Sequence, residues 1–400
     1  MRKEYKNMPV YEKMSDEIQM KIMSENPSLI NYTGGAVRRD PEHDKANLWR
    51  PAYIRDTEKI MHSLYYNRYA DKTQVFSFYK NDDISHRGYH VQLVSRIARN
   101  IGRVLGLDCD LIEAIALGHD MGHTPFGHAG ESFLNEIYHE KTGRYFNHNV
   151  HSVRVLDSIL KLNLSLQTLD GILCHNGESE FMEYKPSELS DFDEFDRKVE
   201  SCYVDEANIK KLVPNTLEGC VVRISDIIAY IGKDRQDAIK THTIPSENIF
   251  DESEIGKYNA AMINNLIVNI LENSYGHDRI RMDEAHFRAL KKAKSDNYEL
   301  IYLTGDNRQR YDEIIRPMFR KLYDKIFEEL ASGDESAPVY RHHIAVIENA
   351  LRFRGGSDYR KTEPNQLVVD FIASMTDDYF IDLYEYYFGR SKIEYISYFE

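Results

Sequence analysis

Residues 87–131 read RGYHVQLVSRIARNIGRVLGLDCDLIEAIALGHDMGHTPFGHAGE. Val91, Val94, Ala98, Ile101 and Leu105 recur at alternating steps of three and four, which predicts one apolar face of a helix over 88–105. Gly106 is its expected stop, and Asp110 is the expected cap of a second helix carrying Leu111, Ala114, Ile115 and Leu117 to His119. Two helices joined by so short a turn must fold back on one another. The outward leg is roughly 22 Å and the return roughly 14 Å at 1.5 Å per residue, so a histidine early in the first helix can approach His119. His90 and His86, four residues apart on one face, both qualify by spacing.

The rest of the chain extends this helical reading. Helices are expected near 52–69, 150–174, 217–240, 257–273, 312–331, 340–352 and 366–388, and only 74–79 looks strand-like. The 400 residues are 42% hydrophobic and 29% charged, which fits a folded globular chain with an ample core. No internal repeat or low-complexity linker divides it. A single all-α domain over 1–400 is expected, with a core over 86–240 and accessory helices over 257–400.

The net charge is −14, and residues 178–206, with eleven acids and three bases, contribute −8 of it. That segment reads as a solvated, irregular excursion. Broad nucleic-acid binding is disfavoured, since phosphate backbones reward clustered cations. The four cysteines form no CxxC pair and read as free thiols in a reducing compartment. The first residues, MRKEYKNMPVYEKMSDE, lack an apolar stretch, so no signal peptide is expected. No run approaches the ~18 apolar residues of a membrane span. A cytoplasmic protein follows as the expectation.

Eight of the 16 histidines fall within 86–151, against about three for an even spread. Their centre is 119–131, where His119, Asp120, His123, His128 and Glu131 stand among Gly122, Pro125, Gly127 and Gly130. Imidazole beside carboxylate suits a borderline divalent cation (Mn, Fe, Ni or Zn, with Mg also open). The helix breakers place His123 and His128 on a loop. Asp226 lies within the apolar run 221–231, where an ionised carboxylate must be compensated. It can pair with Arg223, face solvent, or join the metal group.

These motifs, in order from about 55 to 379, resemble the HD-domain deoxynucleoside triphosphate triphosphohydrolases, the deoxyguanosine-triphosphatase branch in particular. The pattern HD-x-GH-x-PFGH-x-GE is intact over 119–131. Upstream stand Lys72-Thr73-Gln74-Val75-Phe76 and Arg87-Gly88-Tyr89-His90. Downstream stand Phe146-Asn147-His148-Asn149, Ser152-Val153-Arg154, Asp226-Ile227-Ile228-Ala229-Tyr230 and Met375-Thr376-Asp377-Asp378-Tyr379.

The resemblance implies an HD-domain helical bundle and hydrolysis of a dNTP to deoxynucleoside and inorganic triphosphate. It selects His90 over His86 as a metal ligand beside His119, Asp120 and Asp226. It pairs His128 with Glu131 in catalysis and counts His123 with them, turns His123 and His148 toward the phosphates, and makes Arg87 a phosphate-binding arginine. It places Gln74, Tyr230 and Asp234 at the deoxyribose. It also implies a homo-oligomer and leaves room for a nucleotide effector.

The sequence departs from the family pattern at Val91, Lys59, His151 and Lys233, none of them a ligand position, so the preferred base stays open. No Gly-x-x-x-x-Gly-Lys loop or GxGxxG is present. The aromatic tail, with Tyr379, Tyr384, Tyr386, Tyr387, Tyr395 and Tyr398, is expected to pack against a neighbouring helix or subunit. Two rival readings remain: a nucleotide phosphomonoesterase or phosphodiesterase with the same metal group, and a dNTP sensor without turnover.

Overall fold

A computed structural model of the chain describes residues 12–176, 180–303, 309–352 and 358–396. The helical hairpin sits at its centre. Helix α3 (Arg87–Leu105) buries Val91, Val94, Ala98 and Ile101 completely. Gly106 ends it at φ 74°, a left-handed conformation that glycine adopts without a Cβ clash. Helix α4 (Cys109–Gly118) follows α3 after the three residues 106–108. Its N-cap is Asp108, not Asp110: the Asp108 carboxylate accepts from the N–H groups of Asp110 and Leu111. Both aspartates fit the cap composition, and only Asp108 has the extended backbone a cap requires.

The hairpin is enclosed by helices before and after it. Chain order gives α1 (Asp16–Glu25) and α2 (Ala52–Met61) before it, and α5 (Gly127–Thr142), α6 (His148–Val153), α7 (Leu166–Leu173), α8 (Phe192–Val204) and α9 (Leu217–Lys240) after it. Helix α9 runs along α3 and also packs on α4 and α7, while α2 covers another side of α4. Lying among these helices, α9 is buried along most of its length, including the charged residues Arg223, Asp226, Asp234, Arg235 and Asp237. Later helices, including α10 (Asn259–Ser274), α11 (Glu284–Asn297), Arg316–Ser332, Pro364–Ala373 and Asp377–Phe388, close the outside. The fold is all-α. Its single sheet among the described residues is the two-residue pair Glu183–Tyr184 and Ile280–Arg281, antiparallel.

Two local expectations are corrected. Residues 74–79 form no strand. Thr73 Oγ1 and Ser77 Oγ are 2.6 Å apart, and this contact favours a turn while Phe76 and Phe78 still reach the interior. The acidic stretch is not an irregular excursion. It contains α8, capped by Asp191 and anchored by fully buried Phe195 and Cys202, with its carboxylates on the opposite face. Glu178 lies outside the described residues. Among the tail aromatics, Tyr379, Tyr384, Tyr387 and Tyr395 pack against the core edge, Tyr386 is exposed, and Tyr398 lies outside the described residues. Among the described residues, no helix is long and apolar enough to cross a membrane.

Candidate active site

Four helices converge on one buried carboxylate, Asp120. The first turn of α3 supplies Arg87 and His90, three residues apart on one face. The end of α4 supplies His119 and Asp120. The middle of α9 supplies Asp226, and the end of α7 supplies His175. Arg87 Nη1 donates to Asp120 Oδ2 at 2.6 Å. The other oxygen, Oδ1, lies 3.4 Å from His119 Nε2, 3.4 Å from His123 Nε2 and 3.8 Å from His175 Nε2. His90 Nε2 stands 2.9 Å from Asp226 Oδ1, and His119 Nε2 is 3.9 Å from the same atom.

The protonation pattern follows from this crowding. Burial opposes ionisation of Asp120, but His119 and Arg87 outweigh it and hold the carboxyl well below its usual range. Asp226 is likewise buried, and the hydrogen bond with His90 lowers it. His90 is raised, because the Asp226 partner outweighs burial. His123 is pushed well down by burial and by Arg87, and burial lowers His175 to about 3.

The donor set fits a divalent cation. His119 Nδ1–H donates to the Ala116 carbonyl at 2.7 Å, so its Nε2 presents a lone pair. That Nε2 is buried and finds no hydrogen-bond partner among the described residues. An orphaned acceptor beside two carboxylates is what an ion would satisfy. Separations of 2.9 to 4.0 Å among the four groups all lie below twice a metal–nitrogen bond of about 2.1 Å. His86 instead precedes the first turn of α3 and belongs to none of the metal-sized clusters found. Arg223 does not pair with Asp226; it donates to the Leu212 carbonyl.

A second group adjoins the first. Gly122 lets the chain turn tightly there, since a Cβ would lie 2.2 Å from Ser152 N and 2.4 Å from the His148 carbonyl. His123 follows in that turn. His128 lies in the first turn of α5 and not on a loop, because the helix begins immediately after Phe126. Its Nδ1 is 3.1 Å from Glu131 Oε2, and its side chain is 58% exposed. Glu131 also accepts from the backbone N–H and Nδ1 of His148, at 2.7 and 2.9 Å. Burial opposes its ionisation, yet His148 and His128 hold it far below the ordinary range. The His123 and His148 rings stack 3.9 Å apart, so the two groups form one continuous wall.

The remaining expected residues line the same side of α9. Asp226, Tyr230 and Asp234 are spaced by four and share a face. Asp234 is buried, and burial raises it to about 7 despite a hydrogen bond from the Tyr302 hydroxyl. Gln74 Oε1 and Arg87 Nε and Nη2 are buried and find no partner among the described residues. Lys233 pairs with Asp237 at 2.6 Å. Arg235 donates to Asn297 and lies over the Phe250 ring, and burial lowers His151 to about 4.

Sequence reasoning missed His175 and Tyr302. Tyr302 has no local signal, lying 68 residues from its partner. For His175 a signal exists. Leu117-Gly118-His119-Asp120 and Leu173-Cys174-His175-Asn176 have the same form at the ends of two apolar helices. Each histidine sends Nδ1–H back to the carbonyl three residues earlier, Ala116 or Ile172, at 2.7 Å.

The HD domain family model matches residues 87–231, a span holding all the groups around Asp120. The chain is similar to three deoxyguanosinetriphosphate triphosphohydrolase-like proteins. That of Caldanaerobacter subterraneus subsp. tengcongensis is 30% identical over 92% of each chain. That of Desulfatibacillum aliphaticivorans is 30% identical over 84% of this chain and 87% of its own. That of Pelagibacter ubique is 32% identical over 84% of this chain and 93% of its own.

Proposed function

The chain belongs to the HD-domain family of deoxyguanosinetriphosphate triphosphohydrolase-like proteins, and on that premise we propose that it hydrolyses a deoxynucleoside triphosphate, dGTP favoured, to the deoxynucleoside and inorganic triphosphate. The observation that carries the reading is the single wall joining the Asp120 group to His128 and Glu131, beside the two guanidinium nitrogens of Arg87 that find no partner among the described residues.

His90, His119, Asp120 and Asp226 are the residues that would hold a divalent cation. Such an ion polarises a phosphoryl oxygen and lowers the pKa of bound water. The chain's own residues do the rest. Arg87 offers Nε and Nη2 to phosphate oxygens while Nη1 stays on Asp120. His123 and His148 line the phosphate side. A water oxygen bonds to the α-phosphorus and releases one of its protons to solvent, and the bond from that phosphorus to the 5′-oxygen breaks. The departing alkoxide needs a proton. His128 supplies it from Nε2, because Nδ1 is occupied by Glu131. Gln74, Tyr230 and Asp234 hold the deoxyribose, and below about pH 7 the protonated Asp234 carboxyl can donate as well as accept.

The test is incubation with each of the four dNTPs and with GTP, in Mn²⁺ or Mg²⁺, with products resolved by ion-exchange chromatography. Intact triphosphate plus deoxynucleoside is expected. Orthophosphate or a monophosphate would point to the phosphoesterase reading, and binding without turnover to the sensor. Release of no triphosphate from any dNTP sinks the proposal.

A further inference from the structure

We propose that Lys72 is a positioning residue for the phosphate side of the site: its main chain sets Arg87 and its side chain sets His123, so one residue fixes the spacing of the two groups. The inference rests on the proposed reaction for what Arg87 and His123 touch, and on the structure alone for how Lys72 holds them.

The main-chain tie comes first. A single antiparallel bridge pairs Thr73 with His86. On one side of it the Lys72 carbonyl accepts from the Arg87 N–H at 3.0 Å, and on the other the Ser85 carbonyl accepts from the Gln74 N–H at 3.3 Å. Arg87 opens α3, and the first N–H groups of a helix have no acceptor within it. The Lys72 carbonyl satisfies one of those donors and fixes where the arginine side chain leaves the backbone.

The side chain ties the same residue to the histidine turn. Lys72 is only 3% exposed, and its Nζ donates to two main-chain carbonyls, that of His123 and, at 2.8 Å, that of Ala373. Ala373 ends the helix Pro364–Ala373, so Nζ joins two segments far apart in the chain. An unbranched stem carries the nitrogen through the buried gap, and a lysine nitrogen has donors enough for both carbonyls. The turn has a second tie, from the Gly122 N–H to the Ser152 hydroxyl at 2.8 Å. The Lys72 bond is the one that joins the turn to the residue anchoring Arg87. Held there, the His123 ring stacks on His148 and keeps Nε2 3.4 Å from Asp120 Oδ1. A buried carbonyl that loses its donor shifts or stays unsatisfied. A shift of about 1 Å at a group that meets the substrate can cost about 100-fold in rate.

The experiment compares full-length wild type, Lys72→Met and Lys72→Ala in Mg²⁺. Triphosphate release gives kcat and KM, and nuclear magnetic resonance of isotope-labelled histidine follows the His123 ring, assigned by its absence from His123→Gln. Lys72→Met keeps the main-chain carbonyl and loses the donor. Its kcat/KM is expected to fall about 100-fold, mostly in kcat because Arg87 keeps its anchor, and its His123 signal to shift. In Lys72→Ala, n-propylamine, whose carbons and nitrogen match the atoms removed, should restore turnover. It should not do so in Lys72→Met, whose side chain fills the space. A lysine that only stabilises the fold would lower the thermal midpoint and leave kcat/KM and the His123 signal of the folded variants unchanged, and that result overturns the proposal. If the wild type releases no triphosphate, the proposed reaction fails and the His123 signal decides alone: a shift in Lys72→Met supports the positioning role, and no shift overturns it. Should Lys72→Met not fold, Lys72→Ala decides. Turnover that depends on propylamine supports the role; full turnover without the amine, or none with it, overturns it.

Discussion

Asp377 accepts a hydrogen bond from the Phe126 backbone N–H at 3.0 Å, across 251 residues of chain. Phe126 has φ 61°, a left-handed conformation uncommon for a bulky residue, and it immediately precedes the helix that carries His128. The other Asp377 oxygen accepts from Thr73 Oγ1 at 2.6 Å, next to Gln74. One buried carboxylate thus fixes two segments of the site. Replacing it with alanine leaves the Phe126 N–H unsatisfied, while the Thr73 hydroxyl retains Ser77 Oγ at 2.6 Å. We expect Asp377→Ala to lose about 1–3 kcal/mol for the stranded donor. The loss should appear as a lower thermal midpoint, together with a fall in dNTP hydrolysis. Asp377→Asn, which keeps an acceptor, should lose less. Equal stability for wild type and alanine variant would remove Asp377 from this role.

His128 is the most exposed histidine of the wall, and Glu131 fixes its Nδ1. A group acting on the leaving oxygen should affect turnover far more than binding. His128→Ala is expected to lower kcat by about 10²–10⁴-fold with little change in KM. Steady-state assay of triphosphate release checks this. A variant with normal kcat would place the proton donor elsewhere.

The hairpin was legible because a 3.6-residue period is local, and every apolar position quoted for α3 lies on its inner face. The pairing of His119 with Asp120 was legible for the same reason. His175 was not, because its neighbours in space come from α4 and α6, and proximity between helices leaves no periodic trace. The repeated Leu-x-His-Asp/Asn form was the available clue. Residues 74–79 misled because alternating Phe76 and Phe78 imitate a strand, while the deciding contact joins the Thr73 and Ser77 hydroxyls. In the acidic stretch the charge count hid Phe195 and Cys202, whose spacing of seven marks one helix face.

Asp234 gives a pH-dependent prediction. Burial raises its pKa from 3.8 to about 7 in the folded chain; Asp237 adds to this, and Tyr302, His90 and Lys233 oppose it. Between these values the folded chain keeps a proton that the unfolded chain has released. Stability therefore falls as pH rises from about 4 to 7, and the deficit remains above 7. Asp234→Asn cannot ionise. Its stability relative to wild type should rise across that window, by on the order of a few kcal/mol. Denaturant unfolding at pH 5 and pH 8 measures the change. A constant difference between the two proteins would show that Asp234 has an ordinary pKa.

Arg87 tests the phosphate side. Its Nη1 holds Asp120 at 2.6 Å, while Nε and Nη2 are buried without a partner among the described residues. A lysine can keep a positive charge near Asp120, but its compact ammonium cannot also present a second and third donor in a fixed plane. Arg87→Lys should therefore leave the Asp120 group compensated and the fold nearly as stable. It should lose the contacts that Nε and Nη2 offer to substrate. Each charge-assisted hydrogen bond is worth roughly 1.5–3 kcal/mol, so KM for the dNTP should rise about tenfold or more. Arg87→Ala differs in kind, because it strands Asp120, and it should lower the thermal midpoint as well. Initial-rate kinetics and thermal melts on the two variants separate these effects. An unchanged KM in Arg87→Lys would show that the two free nitrogens do not meet the phosphates.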